Sequence, residues 1–314
     1  MRKRLLLLML LAAAAAFAQV AEGPQPQQLT AAGREFMQPV WSPTGEWIAL
    51  TGPNYDGIWL IRPDGSGLEQ LTGEVGVGYK MSWSSDGRFL AGRVTRRHNQ
   101  RRQHALQVYD VATKTGTVIS AERKRMPGVP QWVPGQGRLA LWTGGRVEYF
   151  EVASAPQPEP PTAAPRPLVF ATPQGVLVTG AGVTPRVVQP MAGEIINAEL
   201  APDGTRLVAE ALGSRLFVCS LTGSDLVELG RGERPHWSPD GQKIGFMVSE
   251  DDGHRLQQAD IYTVNPDGSG RVNVTATATQ LEMNCSWSPD SRQLVYDERR
   301  SGAIWVMRWN RVRE

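Results

Sequence analysis

From Trp41 onward, short apolar runs of three or four residues alternate with polar clusters rich in Ser, Pro, Asp and Gly. The runs Trp47-Ile48-Ala49-Leu50, Phe89-Leu90-Ala91, Leu139-Ala140-Leu141-Trp142, Leu207-Val208-Ala209, Ile244-Gly245-Phe246-Met247 and Leu294-Val295-Tyr296 are too short for helices. Their β-branched and aromatic content predicts strands. Each follows a related turn: Trp41-Ser42-Pro43-Thr44-Gly45, Trp83-Ser84-Ser85-Asp86-Gly87, Trp132-Val133-Pro134-Gly135, Leu200-Ala201-Pro202-Asp203-Gly204, Trp237-Ser238-Pro239-Asp240-Gly241 and Trp287-Ser288-Pro289-Asp290-Ser291. A self-similar unit with a period of roughly 40 residues marks a repeat architecture.

One unit reads as a chain of hairpins. Pro presets φ at the second turn position, Asp bonds the backbone ahead of it, and Gly takes the left-handed position. Four units carry a clear third strand: Ile58-Trp59-Leu60-Ile61, Leu106-Gln107-Val108-Tyr109, Ile261-Tyr262-Thr263-Val264 and Ile304-Trp305-Val306-Met307. In two of them a second turn, Pro63 to Gly67 or Pro266 to Gly270, leads to a short closing strand, Leu68 to Thr72 or Arg271 to Thr275. Antiparallel four-stranded units in series are propeller blades. Gln27-Gln28-Leu29-Thr30 matches the closing strand Glu69-Gln70-Leu71-Thr72, and the last unit has no closing strand of its own. The N-terminal strand is therefore expected to complete the last blade and remove the open edges. Successive units start 42, 49, 68, 37 and 50 residues apart. The long interval holds Ala155 to Pro167, with six prolines, which reads as an extended loop, and then more strands than one blade needs. The expectation is an all-β, six-bladed propeller; the alternative is seven blades, one without a Trp turn.

The succession W-S-P-D-G, apolar strand, I-Y-V-M-like strand, D-G-S-G and L-T resembles the WD-like repeat of TolB-type β-propellers, over nearly the whole chain after its leader. The resemblance implies a propeller that docks an envelope partner, such as a peptidoglycan-associated lipoprotein. TolB-type proteins carry a mixed α/β domain before the propeller. About 20 residues between the leader and Trp41 leave no room for one here. Some propellers of this repeat type resemble oligogalacturonate lyases, so the fold alone does not choose a function.

Arg2, Lys3 and Arg4, the apolar run Leu5 to Ala16 and the small-residue site Ala16-Phe17-Ala18 form an export signal over residues 1–18. The apolar run is shorter than the roughly 20 residues a spanning helix needs. The expected product is residues 19–314, one propeller domain, periplasmic or secreted, monomeric and not inserted in the membrane. Loss of the three basic residues takes the formal charge from +2 to −1, which speaks against nucleic acid as a partner. Cys219 and Cys285 fall in different blades and are expected to be buried, unpaired thiols.

The chain has no Gly-x-Ser-x-Gly elbow, His-Glu-x-x-His or Cys-x-x-Cys motif. His98, His104, His236 and His254 have no metal-site spacing, and Asp86, Asp203, Asp240 and Asp290 sit where a turn wants them. No catalytic residue, metal or cofactor is expected. The distinctive feature is basic. Arg93, Arg96, Arg97, Arg101 and Arg102 lie on or beside the connection between the second and third strands of the second blade, and Arg123, Lys124 and Arg125 lie in the exit from it. Those connections emerge at the same end of a blade, so the two runs should be neighbours. Glu250-Asp251-Asp252 occupies the equivalent place across the ring. Two readings stand: a polarised face that steers a charged partner, or loop charges that keep the surface soluble. In the last blade Arg299 and Arg300 lie in a stretch similar to the D-R-x-G of TolB-type blades and are placed to reach a neighbouring blade or the funnel. The resulting expectation is a non-catalytic binding propeller for an envelope protein or peptide. The alternative is an enzyme or binder for anionic glycans.

Overall fold

The computed structural model describes residues 25–31, 33–99, 101–152 and 166–309. The expected export signal, residues 1–18, and most of the Pro-rich stretch lie outside them. The described chain folds into seven antiparallel sheets arranged as blades, so the expectation of six is corrected to seven. Blades one and two span residues 37–72 and 82–118, blades three and four 131–151 and 168–188, and blades five and six 195–231 and 233–273. Blade seven, 282–308, takes Gln27–Gln28 as its outermost strand. In that clasp Gln27 pairs with Val306 and Gln28 with Trp305, and Leu29 N–H continues the ladder to Ile304 O at 2.8 Å.

Local chemistry builds the blades as their sequence implies. In the second, sixth and seventh blades the turn serine donates to the turn aspartate, at 2.6, 2.7 and 2.5 Å for Ser84–Asp86, Ser238–Asp240 and Ser288–Asp290. The same aspartates accept a backbone N–H two residues on, at 3.1 Å in each case. These carboxylates are turn components. Trp83, Trp132 and Trp287 each send an indole N–H to a carbonyl on the inner strand of the preceding blade, at 3.2, 3.0 and 3.3 Å. The tryptophans are wedges between blades. Apolar side chains from both neighbours fill each seam, for example Leu60, Ile58, Leu90 and Val94 between blades one and two. Each such side chain contributes about 1.5–3 kcal/mol when fully buried.

The extra blade was hidden because its Trp turn is missing along with the strand that carries it. Blade four has three described strands, Leu168–Thr172, Gly175–Gly180 and Val183–Val188. Arg166, just before the first, reaches the carbonyls of Ala201 and Pro202, at the end of the ring where inner strands finish. Leu168–Thr172 therefore starts where a second strand starts. The last strand supplies the matching mark. A Cβ on Gly223 would lie 3.0 Å from Val188, just as one on Gly65 would lie 3.1 Å from Leu29 and one on Gly268 3.4 Å from Val227. In all three the outer turn of one blade rests on the fourth strand of the blade before it. Blade four thus has second, third and fourth strands, and blade three has first, second and third, among the described residues. Both departures from four strands flank the undescribed residues 153–165. Cys219 and Cys285 are buried and free, and burial pushes their thiols up to about 11 and about 12.

Candidate functional site

Two groups of polar side chains stand out, one on the rim and one inside the ring. The rim group is the long hairpin of blade two, Phe89–His98 and Arg101–Asp110. Arg123 is bridged to it, with His104 N–H to Arg123 O and Arg123 N–H to His104 O both at 2.8 Å. The two basic runs do meet. They are not equally free. Arg93 donates to Met126 O at 2.5 Å and lies over the Tyr79 ring at 5.1 Å, and burial lowers its affinity for its proton. Arg96 lies 3.5 Å from Glu74 and 3.8 Å from Glu122, and Arg123 pairs with Glu148 at 2.5 Å. That Arg123 bond is the main cause holding the Glu148 carboxyl down at about 2. By contrast Arg97, Arg101, Arg102, Lys124 and Arg125 are exposed and form no ion pair among the described residues.

The corresponding hairpin of blade six, Ile244–Asp251 and Leu256–Val264, carries the acidic residues. Asp251 accepts Gly253 N–H at 2.8 Å, and Asp252 accepts the N–H groups of His254 and Arg255 at 2.9 and 2.8 Å. These acids shape their own turn. Arg300 donates to Thr279 O at 2.8 Å, in the connection from blade six, and Arg299 is exposed with its backbone N–H on Leu281 O at 2.9 Å.

The inner group escaped the sequence reading. Three residues before the Trp of each turn, or its Leu200 counterpart, stand Gln38, Lys80, Val129, Asn197, Arg234 and Asn284. Gln38, Lys80, Arg234 and Asn284 share a left-handed backbone, with φ of 49°, 50°, 52° and 53°. In blades one, six and seven this is a bulge that breaks the register of inner and second strands. On the second strands the matching level holds Thr51, Arg93, Trp142, Glu210, Met247 and Asp297.

Two seams use these positions identically. Asp297 accepts Asn284 Nδ2 from its own blade at 2.8 Å and Gln38 N–H from the next blade at 3.0 Å. Glu210 accepts Asn197 Nδ2 at 2.5 Å and Arg234 N–H at 2.8 Å. Burial raises the Asp297 carboxyl to about 7 against these hydrogen bonds. Blades two and six carry cations at this position. Lys80 Nζ donates to Asn197 Oδ1, from blade two to blade five, and Arg234 Nη1 donates to Asn284 Oδ1. Burial, then the nearby Arg234 charge, lowers the Lys80 pKa. Tyr79 and Tyr55 meet edge to face at 5.1 Å beside this cluster, and Tyr55 itself is held left-handed at φ 65°. Among the described residues no three His, Cys, Asp or Glu side chains are arranged to hold a metal ion, and no helix is long and apolar enough to cross a membrane.

The fold and its lining define the class: a seven-bladed β-propeller with a polar interior and a basic rim. No family model matches the chain. Its sequence is 34% identical over 100 residues to the Tol-Pal system protein TolB of Nitratidesulfovibrio vulgaris, a match covering 32% of this chain and 20% of that protein. Among solved structures it is similar to a chain of the mitotic checkpoint complex, with TM-score 0.65, 14% identity and 98% and 99% of the two chains covered. It is also similar to the Cps50 (Swd1) β-propeller domain of Myceliophteria thermophila, with TM-score 0.65, 12% identity and 91% and 100% covered. TolB from Acinetobacter baumannii matches with TM-score 0.51 and 16% identity, over 80% of this chain and 57% of that one. At these identities the structural likenesses speak for the fold. Sequence and structure together make the chain similar to TolB-type propellers.

Proposed function

We propose that this chain is an exported, non-catalytic propeller that docks an acidic protein or peptide of the cell envelope on the rim of blade two. The observation that carries this reading is the set of five exposed cations, Arg97, Arg101, Arg102, Lys124 and Arg125, with no ion-pair partner among the described residues. Unpaired charges grouped at one edge raise the encounter rate with an oppositely charged partner and fix its approach. The similarity to TolB-type propellers supports an envelope partner, and the basic, apolar leader read in the sequence supports export.

The test is capture from an envelope extract by the purified protein and by a variant in which those five residues become Glu. The docking reading expects a partner that is held by the first, released by salt and lost with the second. Equal capture by both would move the contact away from blade two. Capture of acidic glycan in place of protein would replace the protein partner with a saccharide.

A further inference from the structure

We propose that the interior of the ring contains an anion site in which Lys80 and Arg234 together hold a single carboxylate. The source of that carboxylate rests on the docking role proposed above, while the site itself rests on the hydrogen-bonded placement and the charges of the interior side chains. Both cations come from the same repeat position, three residues before the Trp turn, and both have a left-handed backbone there. Lys80 crosses the ring to Asn197 and Arg234 turns to Asn284, so each is bound to a neutral amide and neither to a carboxylate. The Glu210 carboxylate is near enough to favour the charged Lys80, but among the described residues no carboxylate stands within ion-pair distance of either cation.

Two observations converge on an anion between them. Holding two cations within electrostatic reach of each other, partly out of water, is unfavourable unless a counter-charge joins them. Arg93 adds a third positive charge nearby. The two carboxylates of this level are already engaged: Glu210 and Asp297 each accept a side-chain amide and a backbone N–H at the blade seams. Lys80, Arg93 and Arg234 against Glu210 and Asp297 leave this level an excess of one positive charge even with both carboxylates ionised. A carboxylate fits that excess, because the guanidinium fork takes its two oxygens side by side while the ammonium supplies a point charge. A phosphate dianion would bring its second charge against Glu210 and Asp297. The carboxylate is supplied either by a free small acid or by an acidic side chain of a docked partner.

Titration calorimetry on the purified full chain separates these. The probes are N-acetylglycine, the capped peptide acetyl-Gly-Glu-Gly-amide and inorganic phosphate. Saturable binding of either carboxylate probe, at least tenfold weaker in the Lys80→Met/Arg234→Met variant, supports the site. Retention within threefold in Lys80→Arg/Arg234→Lys shows that charge is required and that the fold has survived. N-acetylglycine binding identifies a small acid as sufficient, and binding of the peptide alone identifies a partner side chain as the source. The rim variant Arg97→Glu/Arg101→Glu/Arg102→Glu leaves N-acetylglycine binding unchanged, so failure of the docking reading and failure of this one look different. The proposal is overturned if neither carboxylate probe binds, if the double Met variant binds as well as the parent, or if phosphate binds more tightly than both carboxylates.

Discussion

Blades two and seven occupy the same positions of the repeat and use them in opposite ways. In blade seven the inner level carries Asn284 and Asp297, which close on each other and on the next blade through Gln38 N–H. In blade two the same two positions carry Lys80, which reaches across the ring to Asn197, and Arg93, which donates to Met126 O in the connection to blade three, so cations stand where blade seven has an amide and a carboxylate. The rim repeats the contrast. The blade-seven connection is satisfied by Glu298, which accepts the N–H groups of Arg300 and Ser301 at 3.0 and 2.8 Å. The blade-two hairpin projects cations that nothing in the described chain neutralises. The backbone of a blade specifies positions, and the residue placed there decides between holding the ring and offering charge to something else.

The largest expected effect concerns the blade-seven clip. Asp297 has its folded pKa raised above the ordinary carboxylate value, so the stability it contributes is present below about pH 4 and is lost as pH rises through about 7. The shift corresponds to a decline of about 4 kcal/mol over that window, an upper bound for one buried group. Denaturant unfolding at a series of pH values should show the decline, and Asp297→Asn should flatten it. Replacing Asp297 by Ala, which strands Asn284 and Gln38 N–H, should cost about 2–3 kcal/mol at pH 5. A smaller change of the opposite sign is expected in blade two. Lys80→Met removes a cation held out of water beside Arg234 and should raise stability by about 1 kcal/mol, read as a shift in urea midpoint at constant slope. Stability gained there at the expense of anion binding would confirm that blade two is specialised for recognition. Charge reversal of Arg97, Arg101 and Arg102 should leave stability within about 0.5 kcal/mol while abolishing partner capture. A further small effect belongs to Ser291, which holds φ 58° where four of the other five turns place Gly. Ser291→Gly should change stability by less than about 1 kcal/mol, because relief of strain is offset by loss of the Asp240 N–H to Ser291 Oγ bond at 3.1 Å.

The turns were legible because Ser, Pro, Asp and Gly act within five residues. The clasp was legible because Gln27–Thr30 copies Glu69–Thr72 residue for residue in its last three positions. Blade four was not, since a count based on Trp turns skips a blade that lacks the strand bearing the turn. Its trace in the sequence was the surplus of strands after Pro167. The rim cations were visible as composition, though sequence alone gave no way to separate Arg97, Arg101 and Arg102 from Arg93, Arg96 and Arg123, which are tied down. The inner cluster was invisible for a different reason. Lys80, Asn197, Arg234 and Asn284 come from four blades and become neighbours only when the ring closes. Its one linear signal is the position three residues before each Trp, where polar residues recur.

The clasp also determines how the ring responds to force. Gln27–Gln28 runs antiparallel to Ala303–Arg308, so the two chain ends leave the sheet side by side at one edge. Tension applied between them would peel the ladder one bond at a time, starting at Gln27 and Val306, without loading all the bonds in shear. A tether at both termini would make this a ring that opens at low load, whereas one anchored through any two blades would bear on whole sheets.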